Sequence, residues 1–156
     1  MKIYFAFSIR GEKANRLNLK ILADVMRRHG QILTEAGTKE LLVDAAIRGL
    51  SDREVYLRDI NWLAEADAIV AEVSAPSLGV GYEIARGELL GKPVLCLCQE
   101  NKRRLSAMIA GNANIRVERY KRAKEAARYL EEFLNEVNQK RVGALGRFSE
   151  SVFSPD

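Results

Sequence analysis

Histidine and cysteine are nearly absent from this chain, with one His and two Cys among 156 residues. A structural zinc site needs four ligands of these types, and a Ser-His-Asp triad needs a histidine beside its nucleophile. The single His29 stands in RRHG and reads as the last turn of a helix before a Gly30 cap. Cys96 and Cys98, in PVLCLC, fall on one face of a strand and read as small core residues. No metal is expected. Long apolar runs are also missing, so no segment is expected to span a bilayer. The opening MKIYFAFSIRG has no extended apolar stretch and no small-residue cleavage site, which predicts a cytoplasmic protein. Basic blocks are absent too. The 25 Lys+Arg and 21 Asp+Glu are interspersed, for a net charge of +4, with no basic run interleaved with aromatics. A nucleic-acid polymer is therefore not an expected partner, whereas a small anion needs only one or two cations.

What is present is a chain 47% hydrophobic and 29% charged, of a length suited to one domain. A chain of this size buries roughly 68–70% of its unfolded surface and needs no covalent staples. Residues 2–7, KIYFAF, predict a buried strand. Helical spacing follows over 13–29, and QILTE (31–35) predicts a second strand. Residues 36–50 read as a loop with a short helix. Ser51-Asp-Arg-Glu54 has the form of a capping box and opens a helix to about Ala66. AIVAEV (68–73) is a third strand, and the turn APSLGVG leads into a helix ending near Leu90. VLCLC is a fourth strand, LSAMIAG a short helix and NIRVERY a fifth strand. A final helix over about 121–139 carries Ala123, Ala126, Ala127, Leu130, Phe133, Leu134 and Val137 on one face, and 141–156 reads as a tail.

Strands alternating with helices predict an α/β fold: a single Rossmann- or flavodoxin-like three-layer sandwich over residues 1–140, with a five-stranded, mostly parallel sheet. Ligands of such sheets sit beyond the carboxyl ends of the strands. That directs attention to SIRG after strand one and APSLGVGYE after strand three. Four features there stand out. Asp59 falls inside the stripe of Val55, Tyr56, Ile60, Trp62, Leu63 and Ala66, where a carboxylate is costly unless paired. A structural acid and a functional one fit that position equally. Glu83 lies in the first turns of its helix, where the helix dipole alone can account for an acid. Ser77 with Gly79 and Gly81 can cradle an anion at a helix start, or the glycines can simply serve a tight turn. Ser8-Ile9-Arg10-Gly11 can supply a hydroxyl and a guanidinium to phosphate, or be a surface turn.

Taken together, KIYFAFSIRG, ILTE, RDINWLAEAD, VAEVSAPSLGVGYEIARG, LCLC and LSAMIAG resemble the nucleoside 2-deoxyribosyltransferase superfamily, over roughly residues 1–120. Within it they are most similar to the 2′-deoxynucleoside 5′-phosphate N-hydrolase (Rcl-like) branch. The resemblance implies that Glu83 attacks C1′ of the sugar, that Asp59 positions or protonates the departing base, and that Tyr4 orients Glu83. It implies that Ser8, Ile9, Arg10, Gly11, Ser77 and Gly79 hold sugar and 5′-phosphate. Ser106, Ala107 and Met108 would reach in from a neighbouring subunit, so a homodimer is expected. No cofactor is implied. Phe7 departs from the family, which often has glycine there. The implied activity is hydrolysis of deoxynucleoside monophosphates. Base exchange between deoxynucleosides and a nucleotide-binding module without turnover are the alternatives, and a ribonucleotide hydrolase is a close variant that Tyr4 argues against.

Overall fold

The computed structural model describes residues 1–8, 15–35, 49–101 and 105–152, with side chains through 143. Ile9, Arg10, Gly11 and residues 36–48 lie outside the described residues. Five strands, β1 (Lys2–Phe7), β2 (Gln31–Ile32), β3 (Ala68–Glu72), β4 (Val94–Gln99) and β5 (Ile115–Tyr120), form one sheet in the order β2-β1-β3-β4-β5. Every pairing is parallel. This is the flavodoxin-like order, in which the chain reverses direction across the sheet between β1 and β3.

Helices cover both faces. Helix α1 (Arg16–His29) and helix α5 (Ala123–Val152) cover one, where Ile3, Phe5, Phe7, Val70 and Leu95 meet Leu22, Met26, Leu130 and Leu134. Helices α2 (Asp52–Glu65), α3 (Leu78–Leu89) and the single turn α4 (Ala107–Ala110) lie on the other, with Tyr4, Ala6, Ile69 and Cys96 against Leu63, Val80 and Ile84. Strand alternation sends Tyr4 and Phe7 to opposite faces. Phe7 therefore packs beside Phe5, at 5.1 Å between ring centroids, and does not shape the face that holds Tyr4. Both cysteines are buried and free, and burial pushes the Cys96 thiol up to about 12. His29 ends α1 and pairs with Glu131 of α5 at 2.9 Å.

Local chemistry accounts for the element ends. Asn15 caps α1 by accepting from the Leu17 and Asn18 amides, so α1 starts at Arg16 and not at 13. Gly30 is required by close approach: a Cβ there would lie 1.9 Å from the Met1 carbonyl oxygen. Ser51 and Glu54 form the expected capping box. Three expectations are corrected. The second strand is only Gln31–Ile32, and Leu33–Glu35 is a 3-10 turn. There Thr34 donates to the Phe5 carbonyl at 3.1 Å, and Arg27 holds Glu35. The turn after β3 is shorter than expected, since Ser77 caps α3 and Leu78-Gly79-Val80-Gly81 is already helical. Finally, α5 runs to Val152 through residues read as a tail. Glycine weakens a helix by about 1 kcal/mol without breaking it, and no proline stands between Ala123 and Pro155.

Candidate functional site

The structure brings Tyr4, Asp59 and Glu83 together on the α2/α3 face of the sheet. Tyr4 stands on β1, is 2% exposed and donates its hydroxyl to Glu83 Oε1 at 3.0 Å. Glu83 projects from the second turn of α3, and Tyr4 is its one hydrogen-bond donor among the described residues. Burial pushes the Glu83 carboxyl up to about 7; the Tyr4 bond opposes this and the charge of Asp59 adds to it. The Tyr4 phenol is raised far above its ordinary range by burial first, then by Glu83 and Asp59. One carboxylate with a single donor, an adjacent acid and a buried phenol is the pattern of a poised nucleophile.

The Asp59 carboxyl is also raised by burial, while a hydrogen bond and the charge of Arg58 pull it down. Its setting differs from the expected core stripe. Leu63 and Ala66 are buried, but Tyr56 is 50% exposed, so the stripe faces the core only in its last turn. Asp59 is half-buried at the margin. The sequence reading missed Arg58, which touches both Asp59 and Trp62. A long side chain bonding its immediate neighbour leaves no periodic trace in a sequence.

The anion-cradle features fall beside this cluster. Gly79 and Gly81 lie within α3 and neither has a positive φ, so the turn explanation does not hold for them. A Cβ at Gly81 would meet nothing within 4 Å, and one at Gly79 only the Ser77 hydroxyl at 3.8 Å. These glycines leave clear space over the start of α3. A cavity of about 650 Å³ opens there, lined by Ser77, Leu78, Gly81, Leu105, Ser106 and Met108 among others. Its wall reaches Gly81, two residues from Glu83, but Tyr4, Asp59 and Glu83 do not line it. The Ser77 hydroxyl accepts from the Val80 amide at 3.4 Å. Ser106 opens α4 but makes no side-chain capping bond. Ser8 is buried at the end of β1, at 3% exposure. Ala107 and Met108 are exposed on α4. Among the described residues, no His, Cys, Asp and Glu side chains gather to hold a metal ion, and no helix is long and apolar enough to cross a membrane.

The comparisons with known proteins point to one family. The family model described as nucleoside 2-deoxyribosyltransferase matches residues 3–140. The 5-hydroxymethyl-dUMP N-hydrolase of Rattus norvegicus is 44% identical over 116 residues, covering 72% of this chain and 70% of that protein. A protein of Thermofilum pendens, named as a 2′-deoxynucleoside 5′-phosphate N-hydrolase, is 40% identical over 137 residues, covering 86% of this chain and 95% of that one. Among solved structures, the CMP N-glycosidase BcmB of Clostridium botulinum superposes with a TM-score of 0.61 at 17% identity, over 85% of this chain and 99% of that one. At that identity it speaks for the fold. A five-stranded parallel sheet of this order, a Tyr4–Glu83 pair on one of its faces and a family match across nine-tenths of the described body lead to one assignment: the chain belongs to the nucleoside 2-deoxyribosyltransferase family.

Proposed function

We propose that the chain is a hydrolase that cleaves the N-glycosidic bond of 2′-deoxynucleoside 5′-monophosphates, releasing free base and 2-deoxyribose 5-phosphate. The observation that carries this reading is the half-buried Glu83, bonded to Tyr4 at 3.0 Å and pushed up to about 7. The names of the 40–44% identical relatives support the substrate class. In the first step the Glu83 carboxylate attacks C1′. The C1′–N bond breaks, its electron pair leaves on the base nitrogen, and a glycosyl ester forms on Glu83. In the second step water attacks C1′ and releases the carboxylate, with net retention. Positive charge developing on the sugar is stabilised by the facing carboxylate. Tyr4 holds Glu83 in line, and Asp59 acts on the departing base. Ser77, the open face over Gly79 and Gly81, and the Ser8–Gly11 segment hold the phosphate end.

The active form is a homodimer in this reading. Leu78 is 97% exposed, Met108 83% and Tyr82 52%, and these side chains mark the α3/α4 surface around the cavity that Ser77 and Ser106 share. Apolar side chains so exposed at a cavity mouth suit a second copy, whose Ser106 would complete the site. Two free, buried cysteines suit a reducing, cytosolic setting.

Incubating the protein with each deoxynucleoside monophosphate and following base release by chromatography tests the hydrolase reading. Release by the wild type that is abolished in Glu83→Ala supports it; no release, or equal release by Glu83→Ala, defeats it. The description of the matching family model favours base exchange as a second reading. A new nucleoside formed on adding a second free base would establish it. Nucleotide binding without any product would leave a non-catalytic module. Sedimentation showing a fully active monomer would remove the dimer.

A further inference from the structure

Consecutive helical side chains point about 100° apart, so Arg58 and Asp59 do not meet by helix geometry alone. The Arg58 side chain doubles back to make the contact. Its guanidinium carbon lies 4.6 Å from the centroid of the Trp62 ring, one turn further along α2. From there Nε donates to Asp59 Oδ1 at 2.9 Å, and Nη2 lies 2.9 Å from the same oxygen. The guanidinium carbon thus sits over the ring while the Nε/Nη2 edge meets the carboxylate. Both contacts fall on Oδ1, while Oδ2 accepts no hydrogen bond among the described residues. The two side chains are 24% and 23% exposed, which strengthens the pair relative to a fully solvated one. Among the described residues, the other ionisable groups interacting with this carboxyl are Glu83 from α3 and the Tyr4 phenol from β1.

A carboxyl that hands a proton to a leaving base must carry that proton. The two guanidinium contacts on one oxygen pull the Asp59 carboxyl toward its charged form, against the burial that pushes it the other way. We propose that Arg58 is a positioning residue that fixes Asp59 as a hydrogen-bond acceptor, offering Oδ2 to an N–H group of the departing base, so that Asp59 orients the base without protonating it. This rests on the hydrolase reading above. The electron pair of the C1′–N bond then goes to the base nitrogen, and the neutralising proton comes from water. It also makes Arg58 a determinant of specificity: bases presenting an N–H donor toward Oδ2 are favoured over those presenting only acceptors there.

The experiment measures kcat/KM for base release across the pH range in Arg58→Met, Arg58→Lys, Asp59→Asn and Asp59→Ala, beside the wild type and Glu83→Ala. If Asp59 is an acceptor, Arg58→Met lets it take up a proton in mild acid. Its activity relative to wild type then falls roughly tenfold more at about pH 6 than at about pH 8, and Arg58→Lys restores part of the loss. Asp59→Asn, which keeps a carbonyl acceptor, stays more active than Asp59→Ala, by roughly tenfold or more. If Asp59 is instead an acid, Arg58→Met gains activity toward alkaline pH and Asp59→Asn is as inactive as Asp59→Ala; either result overturns the proposal. The Asp59 pair carries the test even where Arg58→Met does not fold. Failure of the hydrolase reading is seen separately, as no release by the wild type or equal release by Glu83→Ala.

Discussion

Two tyrosine–glutamate pairs stand near the carboxyl end of the sheet, on opposite faces, and they do different work. Tyr4 donates to Glu83 at 3.0 Å on the α2/α3 face, and Tyr120 donates to Glu72 at 3.0 Å on the α1/α5 face. Glu72 is 1% exposed and also accepts from the Ser74 hydroxyl. Ser74 in turn accepts from the Gln99 amide at 2.7 Å, and Tyr120 accepts from Asn18 at 3.4 Å. The second pair thus ties together β3, β4, β5 and α1. Among the described residues Glu83 has one donor, with partial exposure and a neighbouring acid. The same two side chains act as a structural knot where two hydroxyls converge on one buried carboxylate oxygen and solvent is shut out. Where donors are few and the carboxylate borders open space, they make a poised group.

The sharpest way to break this comparison is to delete each acid. Glu83→Ala should lower base release by roughly a thousandfold or more while the chain stays folded, because the group that forms the covalent bond is gone. Glu72→Gln should do the reverse. It takes the charge from the oxygen that accepts from both the Ser74 and Tyr120 hydroxyls and should cost about 2–4 kcal/mol in urea unfolding, with turnover per folded molecule little changed. Loss of turnover in a fully folded Glu72→Gln protein would erase the distinction.

The contrast was only half legible in the sequence. KIYFAF, the Ser51–Glu54 box and the 121–139 face read directly, because apolar spacing and capping are local signals. Asp59 and Glu83 stand out by position, their roles and that of Tyr4 rest on family resemblance, and the fold unites all three from separate elements. Glu72 was hidden in AIVAEV. Every residue of β3 is buried, so alternation could not tell an inward acid from an outward one. The short β2 escaped for a similar reason, since its ending depends on Arg27 and Thr34 reaching across to other elements.

Proton linkage sharpens the comparison further. The Glu83 carboxyl moves from an ordinary 4.5 to about 7 on folding, so the folded chain holds its proton more tightly than the unfolded chain. Stability from that protonated group is fully present below about 4.5 and is lost as pH rises through about 7. The neutral variant Glu83→Gln escapes this loss. It should match the wild type near about pH 4 and exceed it near about pH 8, by on the order of 3 kcal/mol, read as melting temperature against pH. A constant difference across that range would mean that Glu83 is not perturbed by burial. In turnover the sign is opposite. The attacking form is the carboxylate, so kcat/KM should climb with pH through about 7.

The smallest expected effects come from the phenols, and they separate along the same line. Tyr120→Phe removes one donor from a carboxylate that keeps Ser74, so it should cost about 1 kcal/mol of stability and leave kcat unchanged. Tyr4→Phe removes the one donor that Glu83 has among the described residues, without changing the ring's packing. The carboxyl then loses the bond that held it down and needs a higher pH to ionise. Its kcat should fall roughly tenfold near neutral pH and partly recover toward alkaline pH, with little change in melting temperature. Equal behaviour of the two phenylalanine variants would mean that the open pair is a knot like the closed one.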